Sequence, residues 1–203
     1  MKKALPSAVG LLLLVQPLLA QAHSPYPGVR GFYVGALHPL TTPSHVLLII
    51  AISILLGVRV ADGQMRFLVT VFSATAVGLM LAFVVASYLP SALLILLQIT
   101  LLGALLIGPS ALPAGLLMAL SGTAGFLLAL ESIPDPGPFL DVVITVFGSL
   151  VGIHYLIMYG SRGARSVVER WDSSTLQIGI KIAGSWIAAI GLLMLAFAFA
   201  NIL

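Results

Sequence analysis

The sequence has no cysteine and very little charge, and each shortage excludes a class of function. Without cysteine the chain can form no disulfide, no thiolate metal site and no cysteine nucleophile. Only 7% of its 203 residues are charged and 60% are hydrophobic, whereas soluble domains carry about 25% charged residues. So much apolar surface cannot be hidden in one soluble core. The composition therefore predicts an all-α membrane protein whose solvent is the lipid bilayer.

The shortage of charge also argues against nucleic-acid binding and catalysis. Lys and Arg number 9 against 6 Asp and Glu, a net charge of +3, which is far from the basic face that nucleic acid requires. The sequence shows no phosphate loop, glycine-rich nucleotide motif or Ser/His/Asp arrangement. We therefore expect neither an enzyme nor a tightly bound cofactor.

The N-terminus has the pattern of a secretory signal peptide over residues 1–22. Lys2 and Lys3 precede an apolar run over residues 9–19 that is too short to span a bilayer, and Ala-Gln-Ala at 20–22 fits a cleavage site. Cleavage there would make His23 the first mature residue. The alternative is an uncleaved membrane anchor.

The rest of the chain divides into a short periplasmic segment, 23–42, and a transmembrane domain, 43–203. Six apolar segments follow one another in that domain, each near the roughly 20 residues that a bilayer requires. We predict about six transmembrane helices in one bundle, at 43–60, 66–89, 91–107, 112–130, 138–159 and 176–202.

The distribution of arginine predicts the orientation of these helices. A cleaved signal peptide places His23 outside, so the loops at 59–66 and 161–174 lie inside. Five of the arginines fall in those two loops, as the positive-inside rule requires: Arg59, Arg66, Arg162, Arg165 and Arg170. The signal and the arginines agree on an N-out, C-out protein of the bacterial inner membrane.

Gly148 and Gly152 form a G-x-x-x-G pair, which allows close helix packing without naming the partner. We favour packing within the bundle, and a homo-oligomer interface is the alternative.

Two of the four histidines, His38 and His45, stand at the entrance to the first predicted helix. Thr42 is the expected N-cap and Pro43 the first helical residue. His38 would then lie on an irregular turn, because Pro39 disfavours helix at the residue before it, and it could fold back toward His45. A divalent metal site and a pair of interfacial histidines satisfied by water are both consistent with this pattern.

Other polar residues are candidates for the same site or for a pathway. The α-amine and imidazole of His23 could together chelate Ni²⁺ or Cu²⁺. Asp141 and Glu131 are expected at the level of the histidine pair, although each also suits a helix end or a solvated loop. His154 lies about 20 Å along its helix from Asp141, so it would form a second station or a buried, hydrogen-bonded histidine.

The motif G-x-x-H-P-L-T-x-P-x-H, from Gly35 to His45, resembles the first-helix signature of HupE/UreJ proteins, usually H-P-L-[TS]-G-x-D-H. The resemblance implies a six-helix nickel or cobalt permease linked to hydrogenase and urease maturation proteins. The family's Asp is Ser44 here. The stretch nearest to the family's second motif, F-H-G-x-A-H-G-x-E, is 120–126, where Ser121 and Gly125 stand in place of its histidines.

The resemblance and the residues together predict a secondary permease for a divalent transition-metal ion, nickel or cobalt above all. His23, His38, His45 and Asp141 are the expected metal ligands. Ser44, Glu131 and His154 are the expected pathway residues. The alternative is a non-transporting accessory subunit or metal-binding protein of a metalloenzyme maturation system.

Overall fold

The computed structural model describes residues 31–60, 63–108, 111–134, 136–171 and 173–200. Within these ranges the chain forms seven α-helices and no strand, which confirms the all-helical prediction. The predicted signal peptide and His23 lie outside the described residues. The helices are α1 (Phe32–Thr41), α2 (Pro43–Arg59), α3 (Gln64–Val85), α4 (Ser91–Ile107), α5 (Ala114–Leu130), α6 (Phe139–Arg170) and α7 (Ser174–Ala200).

Helix α2 lies at the centre of the bundle. Leu48, Ile52 and Leu55 on this helix are completely buried, and α2 packs against α1, α4, α5, α6 and α7. A helix that is apolar on all sides is covered by other helices or by lipid, and for α2 the neighbouring helices supply most of that cover. The outer helices pair around it, α4 with α7, α3 with α5, and α1 with α6.

The start of α2 agrees with the prediction from the sequence at one point and differs from it at another. Thr42 has an extended backbone and Pro43 is the first helical residue, as predicted, although the Thr42 side chain makes no capping hydrogen bond. His38 lies on helix α1 and not on an irregular turn. Proline only disfavours helix at the preceding residue, and the packing of α1 on α6 outweighs that preference. The chain turns by 82° between α1 and α2.

Helix α6 is longer than the sequence indicated. It continues to Arg170, so most of the predicted loop at 161–174 is helical. A Cβ added to Gly57 of α2 would lie only 2.6 Å from both the Ser161 carbonyl oxygen and the Ala164 Cβ. This close contact, together with the Arg165–Glu169 ion pair one helical turn apart, stabilises the extra turns.

The other boundaries shift less. Helix α3 ends at Val85, and 86–89 form a turn. Helix α4 begins and ends where the sequence predicted, and α5 begins two residues later than expected.

Three helices, α3, α6 and α7, are long and apolar enough to cross a membrane, and α1 with α2 makes a fourth span if the bent pair counts as one. Helices α4 and α5 have 17 residues each. At 1.5 Å per residue they are about 25 Å long, a little less than the roughly 30 Å of a hydrocarbon core. The described residues therefore contain three to four candidate spans, fewer than the six predicted.

The two ends of the bundle differ in chemistry. At one end, called here the histidine end, His38 and Ser91 both contact Glu131, so the α1–α2 junction, the start of α4 and the end of α5 meet. At the opposite end, Arg59 donates hydrogen bonds to the carbonyls of Leu106 (3.1 Å) and Gly108 (3.3 Å). These are carbonyls of the last turn and C-cap of α4, where a cation is stabilised by the helix dipole.

Gly148 and Gly152 pack against α1, within the same chain. A Cβ on Gly148 would overlap the carbonyl oxygen of Phe32, and one on Gly152 would overlap that of Ala36. The prediction that this pair packs inside the bundle is confirmed. The contact fixes α1, and with it His38, against α6.

Candidate metal site

The 82° turn between α1 and α2 brings His38 and His45 together. Their ring centroids are 5.6 Å apart and the rings are nearly perpendicular, at 73°. On one straight helix, seven residues would separate them by about 10.5 Å of rise. The bend thus creates the pair that the sequence predicted, by a helix–helix corner and not by an irregular turn.

His38 is held by a main-chain oxygen. Its Nε2 lies 3.0 Å from the carbonyl oxygen of Glu131, at the C-terminal end of α5. A carbonyl only accepts hydrogen bonds, so Nε2 is the donor, and in the neutral ring this tautomer leaves the lone pair on Nδ1. Metal-binding histidines commonly donate their second ring N–H to a backbone carbonyl, which fixes the tautomer and the ring orientation. The ring atom of His38 that this arrangement leaves available to a metal ion is therefore Nδ1.

His45 is almost completely buried, with 2% of its surface exposed. Its Nδ1 is buried too and has no hydrogen-bond partner among the described residues. A buried polar atom without a partner costs about 1–3 kcal/mol, and such an atom in a native protein calls for an explanation such as a bound ion. An ion between the two imidazoles would supply the missing partner.

Glu131 connects three helices at this end. Its carbonyl accepts the hydrogen bond from His38 of α1, and its carboxylate Oε1 accepts one from the Ser91 hydroxyl at the start of α4. Glu131 itself forms the C-cap of α5. From the sequence, Glu131 was weighed as a pathway residue and as a solvated loop residue, and Ser91 was not identified. The position of Ser91 as the first helical residue after Pro90 could have marked Ser91 as a partner for an anion.

The other expected site residues lie apart from the pair. Asp141 is exposed in the first turn of α6, where its carbonyl accepts a hydrogen bond from Thr145. His154 packs edge-on against Phe72 of α3, with ring centroids 5.3 Å apart, and its Nδ1 is buried without a partner in the described chain. Ser44 is half-buried beside His45. In the part of the chain that the structure describes, no three His, Asp or Glu side chains lie close enough to hold one ion.

The comparison with known families agrees with the histidine motif. The family model described as "HupE / UreJ protein" matches residues 11–195. The chain belongs to the HupE/UreJ family. No curated protein and no solved structure matches the chain. Membership suggests a role in nickel or cobalt transport, or in the maturation of urease or hydrogenase.

Ser121 and Gly125, the residues that the sequence comparison set against the histidines of the second family motif, take part in helix packing. Ser121 is completely buried and donates a hydrogen bond to the carbonyl of Leu117 in its own helix. A Cβ on Gly125 would lie 2.6 Å from the Thr75 hydroxyl and 2.7 Å from the Val71 carbonyl oxygen of α3. A histidine at position 125 would therefore require α3 and α5 to separate. Gly125 thus forms a close contact between α3 and α5.

Proposed function

We propose that this HupE/UreJ protein is a secondary permease for a divalent transition-metal ion, nickel or cobalt above all, and that His38 and His45 first bind the ion. One observation carries the proposal. The two imidazole rings lie with their centroids 5.6 Å apart at a helix corner, and the buried Nδ1 of His45 has no hydrogen-bond partner in the described chain.

The chemistry of the pair suits these metals. Neutral imidazole is a good ligand for nickel and related first-row ions, and the Glu131 carbonyl supports the tautomer of His38 that leaves Nδ1 free. Two imidazoles alone leave coordination positions open. His23, through its amine and ring, Asp141 and water are candidates for those positions, with Ser44 and His154 along the pathway.

In this proposal the bent pair α1–α2 and helices α3 to α7 make six crossings of the bacterial inner membrane. The histidine end faces outward, after removal of the signal peptide at 1–22, and both termini lie outside. The short helices α4 and α5 are accommodated by local thinning of the bilayer. An inside-negative potential then favours entry by about 2.3 kcal/mol per charge per 100 mV, or about twice that for a divalent ion, so no nucleotide is needed.

A second function is supported by the loss of the second histidine motif. Gly125 and Ser121 close the α3–α5 contact where other family members are expected to carry ligands. A chain with one histidine pair suits an accessory subunit that holds or hands on a metal for hydrogenase or urease maturation. Such a protein would bind metal in detergent yet move none across vesicles, and would co-purify with a stable partner.

Metal accumulation in a bacterium deficient in nickel uptake tests the permease. Cells would express the intact chain, the double variant His38→Ala/His45→Ala, or the control Tyr88→Ala, whose side chain is 83% exposed in the α3–α4 turn. Elemental analysis at matched membrane expression would cover nickel, cobalt, copper and zinc. We expect one metal to accumulate with the intact chain and the control, and not with the double variant. Equal accumulation in all three would refute the histidine site.

A further inference from the structure

The histidine pair contains no anionic side chain. Glu131 places one beside the pair. Its main-chain oxygen touches His38 at 3.0 Å, while its carboxylate is bonded to Ser91. A divalent cation bound only by two neutral imidazoles would keep its full charge at a half-buried site, which is costly. The carboxylate that could lower this cost thus belongs to a residue already in contact with His38.

The Glu131 carboxylate lies at Ser91, in a position that is itself favourable. Glu131 caps the C-terminal end of α5, where the helix dipole disfavours negative charge. Ser91 is the first residue of α4, where the dipole favours negative charge, and its hydroxyl donates to Oε1. Where it lies at Ser91, the carboxylate is not close enough to share one ion with the two histidines, so it would have to leave Ser91 by rotation about the side-chain bonds of Glu131. The main-chain bond to His38 would be unaffected.

We propose that the Glu131 carboxylate is a movable ligand of the cation held by His38 and His45, and that Ser91 competes with the cation for it. The inference rests on the proposed function, because it assumes that the histidine pair binds the ion. The hydroxyl of Ser91 lowers the affinity by holding the carboxylate back, which lets a permease release its ion. Ser91 is a positioning residue, and Glu131 is a ligand.

The two side chains therefore affect binding in opposite directions. Ser91→Ala removes the competing hydrogen bond and tightens binding about five- to tenfold, as expected for one hydrogen bond. Glu131→Gln keeps the main-chain bond to His38 but loses the charge, and weakens binding about ten- to a hundredfold. In the double variant Ser91→Ala/Glu131→Gln the effect of the serine change disappears, because there is no carboxylate to release.

Titration of the purified, full-length chain in detergent with Ni²⁺ and Co²⁺ tests the competition. A matched control is available in Ser132→Ala. It removes a buried hydroxyl next to Glu131 whose hydrogen bond, within the described residues, goes to the Leu128 carbonyl of its own helix. This control should bind like the unmodified chain. Thermal unfolding of each variant without metal checks that it is folded.

The outcomes separate this inference from the proposed function. Tighter binding by Ser91→Ala that vanishes in the double variant supports the movable ligand. Unchanged affinity in either Ser91→Ala or Glu131→Gln, while His38→Ala/His45→Ala still abolishes binding, overturns the inference and leaves the histidine site intact. Binding that survives the loss of both histidines overturns the site itself.

Discussion

Gly152→Ala tests whether the contact between α1 and α6 positions His38. A Cβ at position 152 would lie 2.8 Å from the Ala36 Cα and would overlap the Ala36 carbonyl oxygen. Ordinary contacts begin near 3.4 Å, so relieving the contact with the Ala36 Cα alone requires α1 to move by about 0.6 Å, and clearing the carbonyl oxygen requires a larger shift. His38 is two residues beyond Ala36 on the same helix, so its ring moves with the displaced backbone.

The displacement of α1 should lower both the stability of the protein and its affinity for metal. Overpacking at a close contact costs about 1–3 kcal/mol of stability, offset in part by the 0.5–1 kcal/mol that alanine gains over glycine within a helix. Metal sites tolerate about 0.2 Å of error in ligand distance, so a shift of about 0.6 Å should lower the metal affinity by about tenfold or more, or about 1.4 kcal/mol.

Gly163→Ala is the matched control, because it lies on the same helix and a Cβ there meets nothing within 4 Å. Gly163→Ala raises the helix propensity without creating a new contact. The difference in unfolding free energy between the two variants therefore measures the cost of the contact at position 152. A difference of 1–3 kcal/mol corresponds to about 2–12 °C in Tm for a chain of this size. Thermal unfolding in detergent and titration with Ni²⁺ measure the two effects. If Gly152→Ala matched Gly163→Ala in both stability and affinity, the α1–α6 contact could not be what positions His38.

Two further variants test the packing away from the site. Arg59→Ala should lower the free energy of unfolding by about 1–2 kcal/mol, because the carbonyls at the end of α4 lose their cation. A Tm equal to that of the unmodified chain would show that water replaces the guanidinium at no cost. Gly103→Ala should destabilise the α4–α7 contact by about 1–3 kcal/mol, since a Cβ there lies 2.7 Å from the Gly184 carbonyl oxygen. Gly179→Ala on α7, which meets nothing within 4 Å, is its control in the same unfolding assay, and equal Tm values would contradict the close crossing.

Local signals predicted the start of α2 well. Thr42 and Pro43 form a helix boundary through their own backbone preferences, whatever the rest of the chain does. The sequence also indicated that His38 could fold back toward His45, and the two rings do meet, although through a corner between two helices and not through the irregular turn that was predicted. The composition alone was enough for the all-helical membrane class.

The parts that sequence reasoning missed depend on contacts between distant segments. Helix α1 exists because Gly148 and Gly152 let it pack against α6, and no local pattern around Pro39 reports that packing. The extra turns of α6 depend in the same way on Gly57 of α2. Ser91 and Glu131 are forty residues apart. The place of Ser91 at a helix start could suggest an anionic partner, but that the partner is Glu131 follows only from the α4–α5 arrangement.

The second family motif shows the limit of reading a site from a resemblance. The sequence reveals that Ser121 and Gly125 replace histidines, but not what the replacement does. The structure shows the α3–α5 contact closed at Gly125, with the Thr75 hydroxyl where a side chain would stand. The loss is therefore a packing change as well as a loss of ligands, and a single Gly125→His substitution would not restore a site.

The most direct test of the account is the flux of Ni²⁺ and Co²⁺ into proteoliposomes that contain only the purified chain. The vesicles would carry an inside-negative potential, and a metal-sensitive dye in the lumen would report entry. The account predicts entry of at least one of the two ions with the unmodified chain and none above empty vesicles with His38→Ala/His45→Ala at equal insertion. Entry that persists in the double variant would contradict the histidine site, and no entry with the unmodified chain would contradict the permease.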